Sequence, residues 1–376
     1  VRLAVVTHNV IRGDGQGRAN YEIVRHAHRN GVEVTLIADR VAPELEAEGI
    51  RWIRLQPKQR GNWLVHGLEF VFRANRLLKS MRGEFDLIHG YGYCLDCPHH
   101  VNTSQFVHSA WRKSPVHVAR LHRNLYGAYQ WLYSYINAVG EKRAYSNAKV
   151  LVPASSTVRQ ELISLGFPSD RMHVILNGVE PREFHPGRIA RATLNLPADV
   201  PLALFAGDIR TNRKNLDTVL KALAQTPGLH LAVVGRKANS PFPAMAEQLQ
   251  VAERTHFLDF RTDIADIMRA TDFFVFPSRY EACALVLVEA IASGLPVITA
   301  KTTGGSEVIT NASGILVDDP NDVGALAKAM VALAGDPERR RVMSEAAVAS
   351  SQQYTWDKIA GQYLALYHEV AGKNTP

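Results

Sequence analysis

The chain has 376 residues, 46% of them hydrophobic and 21% charged, so it exceeds one ordinary core and has the composition of a globular protein with two domains. No apolar run reaches bilayer-spanning length, no leader segment is evident, and three cysteines cannot form a disulfide framework, so a cytoplasmic location is expected. The net charge of +7 is uneven: residues 1–180 carry 23 Lys and Arg against 15 Asp and Glu, residues 181–376 carry 20 against 21, and residues 51–150 carry 15 against 5.

A basic first half suits a phosphorylated acceptor or an anionic membrane surface, with peripheral attachment at the inner face of the membrane. A merely solvated basic surface accounts for it equally well. Nucleic acid is not expected, because the sequence contains no recognised binding motif and no dense basic run.

Residues 2–6 read as a buried strand, and residues 7–16 as a loop carrying Gly13 and Gly15, with Gly17 just beyond. A helix over 19–29 and a strand over 32–37 follow. Glycines at such a turn allow close approach of backbone to a ligand at a helix start, although no GxGxxG fingerprint is present. Residues 63–81 read as an amphipathic helix. Leu64, Leu68, Val71, Leu78 and Met81 form its core stripe, Arg73, Arg76 and Lys79 its basic face, and Trp63, Phe70 and Phe72 lie outside the stripe. Residues 85–89 predict another strand. Cys94 and Cys97 then form a lone CxxC beside two histidines, and no second ligand pair completes a zinc site. His108 follows a short strand. Residues 119–145 read as one long helix whose aromatics, among them Tyr126, Tyr129, Trp131, Tyr133 and Tyr135, are assigned mostly to the core. Residues 180–200 contain proline, lack periodicity and read as a linker.

The second half repeats the alternation. A strand over 202–205 ends at Gly207, and the loop DIRTNRKN holds Arg210, Arg213 and Lys214 ahead of a helix over 216–224, a good phosphate clamp. The most informative stretch is FFVFPSRYEACALVLVEAIASGLPVIT, residues 273–299. It predicts a buried strand, a short loop and a helix from Leu285. Open parallel sheets bind ligands at such strand ends, and helix-start amides favour anions. Glu281 and Glu289 flank this helix start as candidate hydroxyl ligands, with the amides of Cys283, Ala284 and Leu285 aimed at phosphate. Strands alternating with helices in both halves predict an α/β protein with two parallel sheets facing across a cleft. No Ser/His/Asp triad, metal cluster or Walker loop is recognisable in the sequence.

Four segments in order resemble glycosyltransferase family 4. They are VILNGVEPREFHP, LFAGDIRTNRKNLDTVLKAL, PSRYEACALVLVEAIASGLPVI and GGSEVI with SGILVDDP. The resemblance implies the GT-B fold of two Rossmann-like domains. Residues 1–180 would form an acceptor-binding domain, with a C-terminal helix in 354–376 packing back on it, and residues 181–353 a donor-binding domain. It further implies a retaining glycosyltransferase that moves a sugar from a nucleotide-diphosphate donor, UDP-linked by preference, to a hydroxyl acceptor without a metal or other cofactor. The acceptor is a glycan, a lipid-linked molecule or a small molecule, as in envelope or polysaccharide synthesis. By position, Lys214 matches the diphosphate lysine, Glu281 the donor-sugar ligand and Glu289 the ribose ligand. His108 matches an N-domain histidine near the reacting carbon, and Gly15 and Gly17 the glycine loop. The family's arginine after the strand glycine is replaced by Asp208, so Arg213 or Arg210 is expected to supply that charge. An epimerase of the same fold, or a non-catalytic nucleotide-sugar-binding protein, remains the alternative.

Overall fold

The computed structural model describes residues 1–13, 15–56 and 61–372, and the chain divides into two compact units, Val1–Gly178 with Trp356–Pro376, and Val179–Thr355. In each unit, strands three to nine residues long form a six-stranded parallel sheet. The first sheet contains β1 (Arg2–Val10), β2 (Glu33–Val41), β3 (Arg51–Arg54), β4 (Leu87–Tyr91), β5 (His99–Ser104) and β6 (Ala148–Pro153), in the order β3-β2-β1-β4-β5-β6. The second contains β7 (Leu202–Ala206), β8 (His230–Val234), β9 (Thr255–Phe257), β10 (Phe273–Phe276), β11 (Val297–Ala300) and β12 (Gly314–Val317), in the order β12-β11-β10-β7-β8-β9. Both orders reverse at the unit's first strand, next to β4 in one sheet and β10 in the other. Doubly wound sheets hold ligands beside such a switch point, at the carboxyl ends of the strands. Near-continuous burial of β7, β8 and β10 follows from helices covering both faces of a parallel sheet.

The chain leaves the first unit at Gly178 and returns at Trp356. A Cβ on Gly178 would lie 2.8 Å from the Trp356 ring, which accounts for glycine after Asn177. The terminal helix Trp356–Val370 packs on helix Gly15–Arg29. Its tyrosines reach the sheet: the His89 Nδ1 and Tyr367 hydroxyl lie 2.8 Å apart, His89 Nε2 and Thr103 Oγ1 2.8 Å, and Thr103 Oγ1 and the Tyr363 hydroxyl 3.3 Å. Burial, aided by His99, lowers the His89 pKa to about 3, so the ring is neutral in this network.

Several local expectations change. Strand β1 runs to Val10, and Gly15 and Gly17 lie in the first turn of helix Gly15–Arg29, so neither is a loop glycine. On helix Trp63–Ser80, Phe70 is buried and belongs to the core with Val71, Ala74 and Leu78, while Leu68 is exposed. The long aromatic stretch is two helices, Val118–Leu121 and Leu125–Asn147. The Asn124 side chain caps the second by accepting from the Gly127 amide at 3.0 Å. A Cβ on Gly127 would overlap the His122 carbonyl, so the tight junction requires glycine there. Tyr126, Trp131 and Tyr135 are exposed, contrary to their expected core role, because the helix buries mainly small residues such as Gly127, Ser134, Ala138 and Ala144. Among the described residues, no helix is long and apolar enough to cross a membrane.

Candidate active site

At the switch point of the second sheet, β10 delivers the chain to Pro277 and Ser278, and the loop 279–284 leads into helix Leu285–Ala292. The loop after β7 lies against it. There Asn212–Lys214 make one 3-10 turn, and Asn215 adopts φ +70° before helix Leu216–Ala224. Asparagine tolerates that left-handed conformation, and its amide holds it by donating to the Pro277 carbonyl at 2.8 Å and the Pro320 carbonyl at 2.6 Å.

Arg279 joins the two loops. Its guanidinium donates to both Asp217 carboxylate oxygens at 2.6 and 2.7 Å, to the Asn212 carbonyl at 2.8 Å, to Thr218 Oγ1 at 3.1 Å and to Asn321 Oδ1 at 2.7 Å. Its amide donates to the Arg213 carbonyl at 3.0 Å. This planar fork fixes the turn that carries Arg213 and Lys214. The sequence places Arg279 in the loop without revealing this work, since its side-chain partners lie 42 to 67 residues away.

Within this frame Lys214 contacts the Glu281 carboxylate, and its ammonium lies 5.2 Å from the Phe276 ring centroid. Arg213 Nη1 is 4.0 Å from Glu281 Oε2. Burial and the adjacent Arg213 pull the Lys214 pKa well below the usual lysine value, and burial also lowers that of Arg213. Two desolvated cations around one carboxylate leave an excess positive charge. Gly207 makes room, because a Cβ there would come within 3.3 Å of Lys214 Cγ. Arg210 is otherwise engaged. Its guanidinium donates to Asp208 at 2.8 and 3.1 Å, and its amide donates to the same carboxylate at 3.1 Å. Burial opposes the Asp208 charge, but these bonds outweigh it and its pKa falls. Arg210 is thus paired locally with Asp208, whereas Arg213 stands beside Glu281.

The Ala284 amide donates to the Gly304 carbonyl at 2.9 Å, so it is already used and does not point freely at an anion as expected for residues 283–285. Gly304 closes on this loop: its amide donates to the Glu281 carbonyl at 3.2 Å, and a Cβ there would lie 2.2 Å from the carbonyls of Glu281 and Ala282. Cys283 precedes Ala284, and Leu285 opens the helix, whose start has no capping side chain. Glu289 is half-buried one turn further on, at helical spacing from Leu285 and Val286.

His108, Gly15 and Gly17 belong to the first unit. His108 opens helix His108–Trp111. Its amide donates to Glu141 Oε2 at 2.8 Å, and its ring packs edge-on to Phe106 and Tyr133. Burial, with a smaller push from His117, lowers its pKa to about 4, and its buried Nδ1 has no hydrogen-bond partner. Tyr133 also lines a cavity of about 530 Å³ at the carboxyl ends of β1, β2 and β3, where His8, Asp39 and Arg54 project. Gln16, from the turn holding Gly15 and Gly17, reaches the same cavity. There His66 Nε2 lies 3.3 Å from Asp39 Oδ2, and Arg40 Nε donates to Asn9 Oδ1 at 3.0 Å. His8 packs at a tilt on Phe70; burial, then His66, lowers its pKa to about 4, and its buried Nδ1 has no partner. Spacing alone singles out neither this cavity nor Glu141.

Cys94 is a buried thiol pushed up to about 12 by burial, and burial raises Cys97 as well. Among the described residues no group of three or more His, Cys, Asp or Glu is arranged to hold a metal.

Residues 13–183 match the model of Glycosyltransferase Family 4, and residues 188–349 that of Glycosyl transferases group 1. D-inositol 3-phosphate glycosyltransferase of Mycobacterium tuberculosis is 33% identical over 253 residues, covering 63% of this chain and 52% of that protein. The chain thus spans about half the length of the curated relatives it matches. Sucrose-phosphate synthase from Thermosynechococcus elongatus aligns with a TM-score of 0.78 at 23% identity, over 99% of both chains. HepE from Anabaena, solved with UDP and glucose, aligns with a TM-score of 0.73 at 20% identity over 98% of this chain and 99% of that one. These likenesses identify the GT-B architecture. With both units matched by successive models and the expected motifs in place, the chain belongs to the family 4 glycosyltransferases.

Proposed function

We propose that this protein is a retaining glycosyltransferase that takes a sugar from a nucleotide-diphosphate donor, UDP-linked by preference, and passes it to a hydroxyl acceptor. The observation that carries this reading is the set of Lys214 and Arg213 around Glu281 at the switch point of the second sheet. An incoming diphosphate takes over the two cations, which frees Glu281 to accept hydrogen bonds from donor-sugar hydroxyls. Glu289 accepts from the ribose. In the transfer, the bond from the anomeric carbon to the diphosphate oxygen breaks as the bond to the acceptor oxygen forms on the same face. The acceptor proton passes to a phosphate oxygen, and nucleoside diphosphate leaves. Lys214 and Arg213 stabilise the charge that grows on the leaving group, a preorganised electrostatic effect. No protein base is required. A neutral His108 suits a place near the reacting carbon, where an imidazolium would oppose positive charge building on the sugar.

The acceptor hydroxyl is assigned to the cavity bounded by His8, Asp39, His66 and Tyr133. The donor preference is supported by the UDP and UDP-glucose bound to HepE, and an acceptor with an acidic group by the inositol phosphate in the name of the mycobacterial relatives. The reading places the enzyme on the cytoplasmic side, in envelope or polysaccharide synthesis, and needs no metal. Incubation with UDP-, GDP-, ADP- and TDP-sugars, with and without chelator, tests it. Expected are thermal stabilisation by one nucleotide class, an axial product from an axial donor, and unchanged rates in chelator. Inversion at the anomeric carbon, or activity abolished by chelator, overturns the corresponding part.

A further inference from the structure

Helix Leu125–Asn147 divides its faces between three tasks. One side serves the site: Tyr133 and Asn137 line the cavity, and Glu141 holds the His108 amide. A second packs small residues on the unit. The third is apolar and faces outward. Leu125 is 91% exposed and Trp131 47%, and Leu132, Tyr135 and Val139 continue the stripe at helical spacing. Exposed Lys142 and Arg143 close it, the latter 3.9 Å from the half-buried Asp96. Charge along this segment has one sign. Residues 112–149 contain seven Lys and Arg, and their one acidic residue, Glu141, is buried.

Helix Trp63–Ser80 repeats the design. Val65, Leu68 and Phe72, the last 66% exposed, share one outward face, and Arg76 and Lys79 continue that face toward the helix end. This is not the surface drawn by the sequence pattern alone, because Arg73 is spent on Glu69 and the Gln56 carbonyl. The two helix starts are tied together: the Tyr129 hydroxyl donates to Asn62 Oδ1 at 3.0 Å and accepts from the Leu64 amide at 3.3 Å. Trp63, 71% exposed, stands at this junction and lines the cavity.

We propose that the first unit docks on an anionic lipid bilayer through the outward face of helix Leu125–Asn147, assisted by the start of helix Trp63–Ser80, and that its acceptor is lipid-linked and drawn from that bilayer. The second clause rests on the transferase reading above; the first does not. Exposed Trp, Tyr and Leu flanked by Lys and Arg, with no exposed acid, are the groups that partition into the headgroup region of anionic membranes. A second copy of the chain fits this face less well, since a two-fold contact would bring its cations against their own symmetry mates. A face that holds the first unit on a bilayer narrows the acceptor from any hydroxyl compound to one carried by a lipid.

Co-sedimentation of the whole chain with vesicles tests the docking. The vesicles are phosphatidylcholine alone, or phosphatidylcholine with a minority of phosphatidylglycerol. Wild type is expected to bind only the anionic vesicles and to be released by salt. The variant Leu125→Gln, Leu132→Gln, Val139→Gln keeps helix propensity, and the variant Arg76→Glu, Lys79→Glu, Lys142→Glu reverses charge on the same faces. Each is expected to lose about tenfold or more in vesicle binding, with unchanged melting and unchanged nucleotide affinity. Binding to neither vesicle, or variants that bind like wild type, overturns the proposal. So does a concentration-dependent dimer that the glutamine variant dissolves. Vesicle binding without any nucleotide binding supports the docking face and overturns the transferase reading instead.

Discussion

The two sheets share one strand order and place their candidate residues at the same end, yet the two ends differ in chemistry. In the second unit the switch point is charged and cross-braced. Lys214, Arg213 and Glu281 form a desolvated cluster, and Arg279 and Asn215 stitch its loops by hydrogen bonds to distant residues. In the first unit the corresponding end is an open cavity whose buried rings, His8 and the nearby His108, are neutral. The difference fits the job proposed for each end. A diphosphate is small and highly charged, so a site for it rewards rigid counter-charge. An acceptor presents a hydroxyl on a variable scaffold, so a site for it rewards space and neutrality.

The contrast is broken most directly at Lys214. Lys214→Ala is expected to lower turnover by at least tenfold, toward the ~10²–10³-fold typical of removing one preorganised charge-stabilising group. A steady-state assay showing near-normal turnover removes it from the phosphate role. Arg279→Ala probes the bracing. It leaves the half-buried Asp217 without its partner and is expected to cost about 1–3 kcal/mol in urea unfolding, with turnover falling as the turn loosens. Stability lost without any change in kcat or KM would make Arg279 merely structural.

Acid separates the two units. The pKa values of His8, His108 and His89 lie near 4, 4 and 3, below the unfolded 6.5. Their contribution is complete above pH 6.5 and is lost as pH falls through the window toward 4, because the unfolded chain takes up the protons first. At pH 5 each is expected to cost on the order of 2 kcal/mol. Hydrogen exchange at pH 5 is expected to show the first unit opening before the second, and equal protection of both would refute the buried neutral state. The smallest effect separates the two arginines. Arg213→Ala is expected to lower kcat about tenfold, roughly 1.4 kcal/mol, whereas Arg210→Ala, which removes a cation already paired with Asp208, should change it less than twofold. The reverse order would assign the missing family charge to Arg210.

Much of this was readable from residue order. Hydrophobic runs at regular intervals give the two parallel sheets, and spacing marks the 273–299 unit and the cation loop, because their information is local. What stayed hidden is pairwise and distant. No pattern near Arg279 announces Asp217, and Arg210 and Arg213 look equivalent until Asp208 is seen folding back on one of them. The exposure of Tyr126, Trp131 and Tyr135 was equally hidden, since composition calls an aromatic helix buried and only the position of its small residues reveals which side packs. Gly15 and Gly17 illustrate a third limit: a glycine-rich stretch reads as a loop, whereas β1 extends four residues further and the helix starts among the glycines.

The return of the chain at Trp356 sets an order of events during synthesis. Translation proceeds toward the carboxyl end, at about 5–20 residues per second. By the time Gly178 emerges, all six strands of the first sheet are available, but the tyrosine partners of His89 and Thr103 are not. Tyr363 and Tyr367 are made only after the whole second unit has followed. The second unit, continuous from Val179 to Thr355, can therefore mature before the first is sealed. Until helix Trp356–Val370 arrives, helix Gly15–Arg29 lacks the element that packs on it, and His89 and Thr103 lack their phenols.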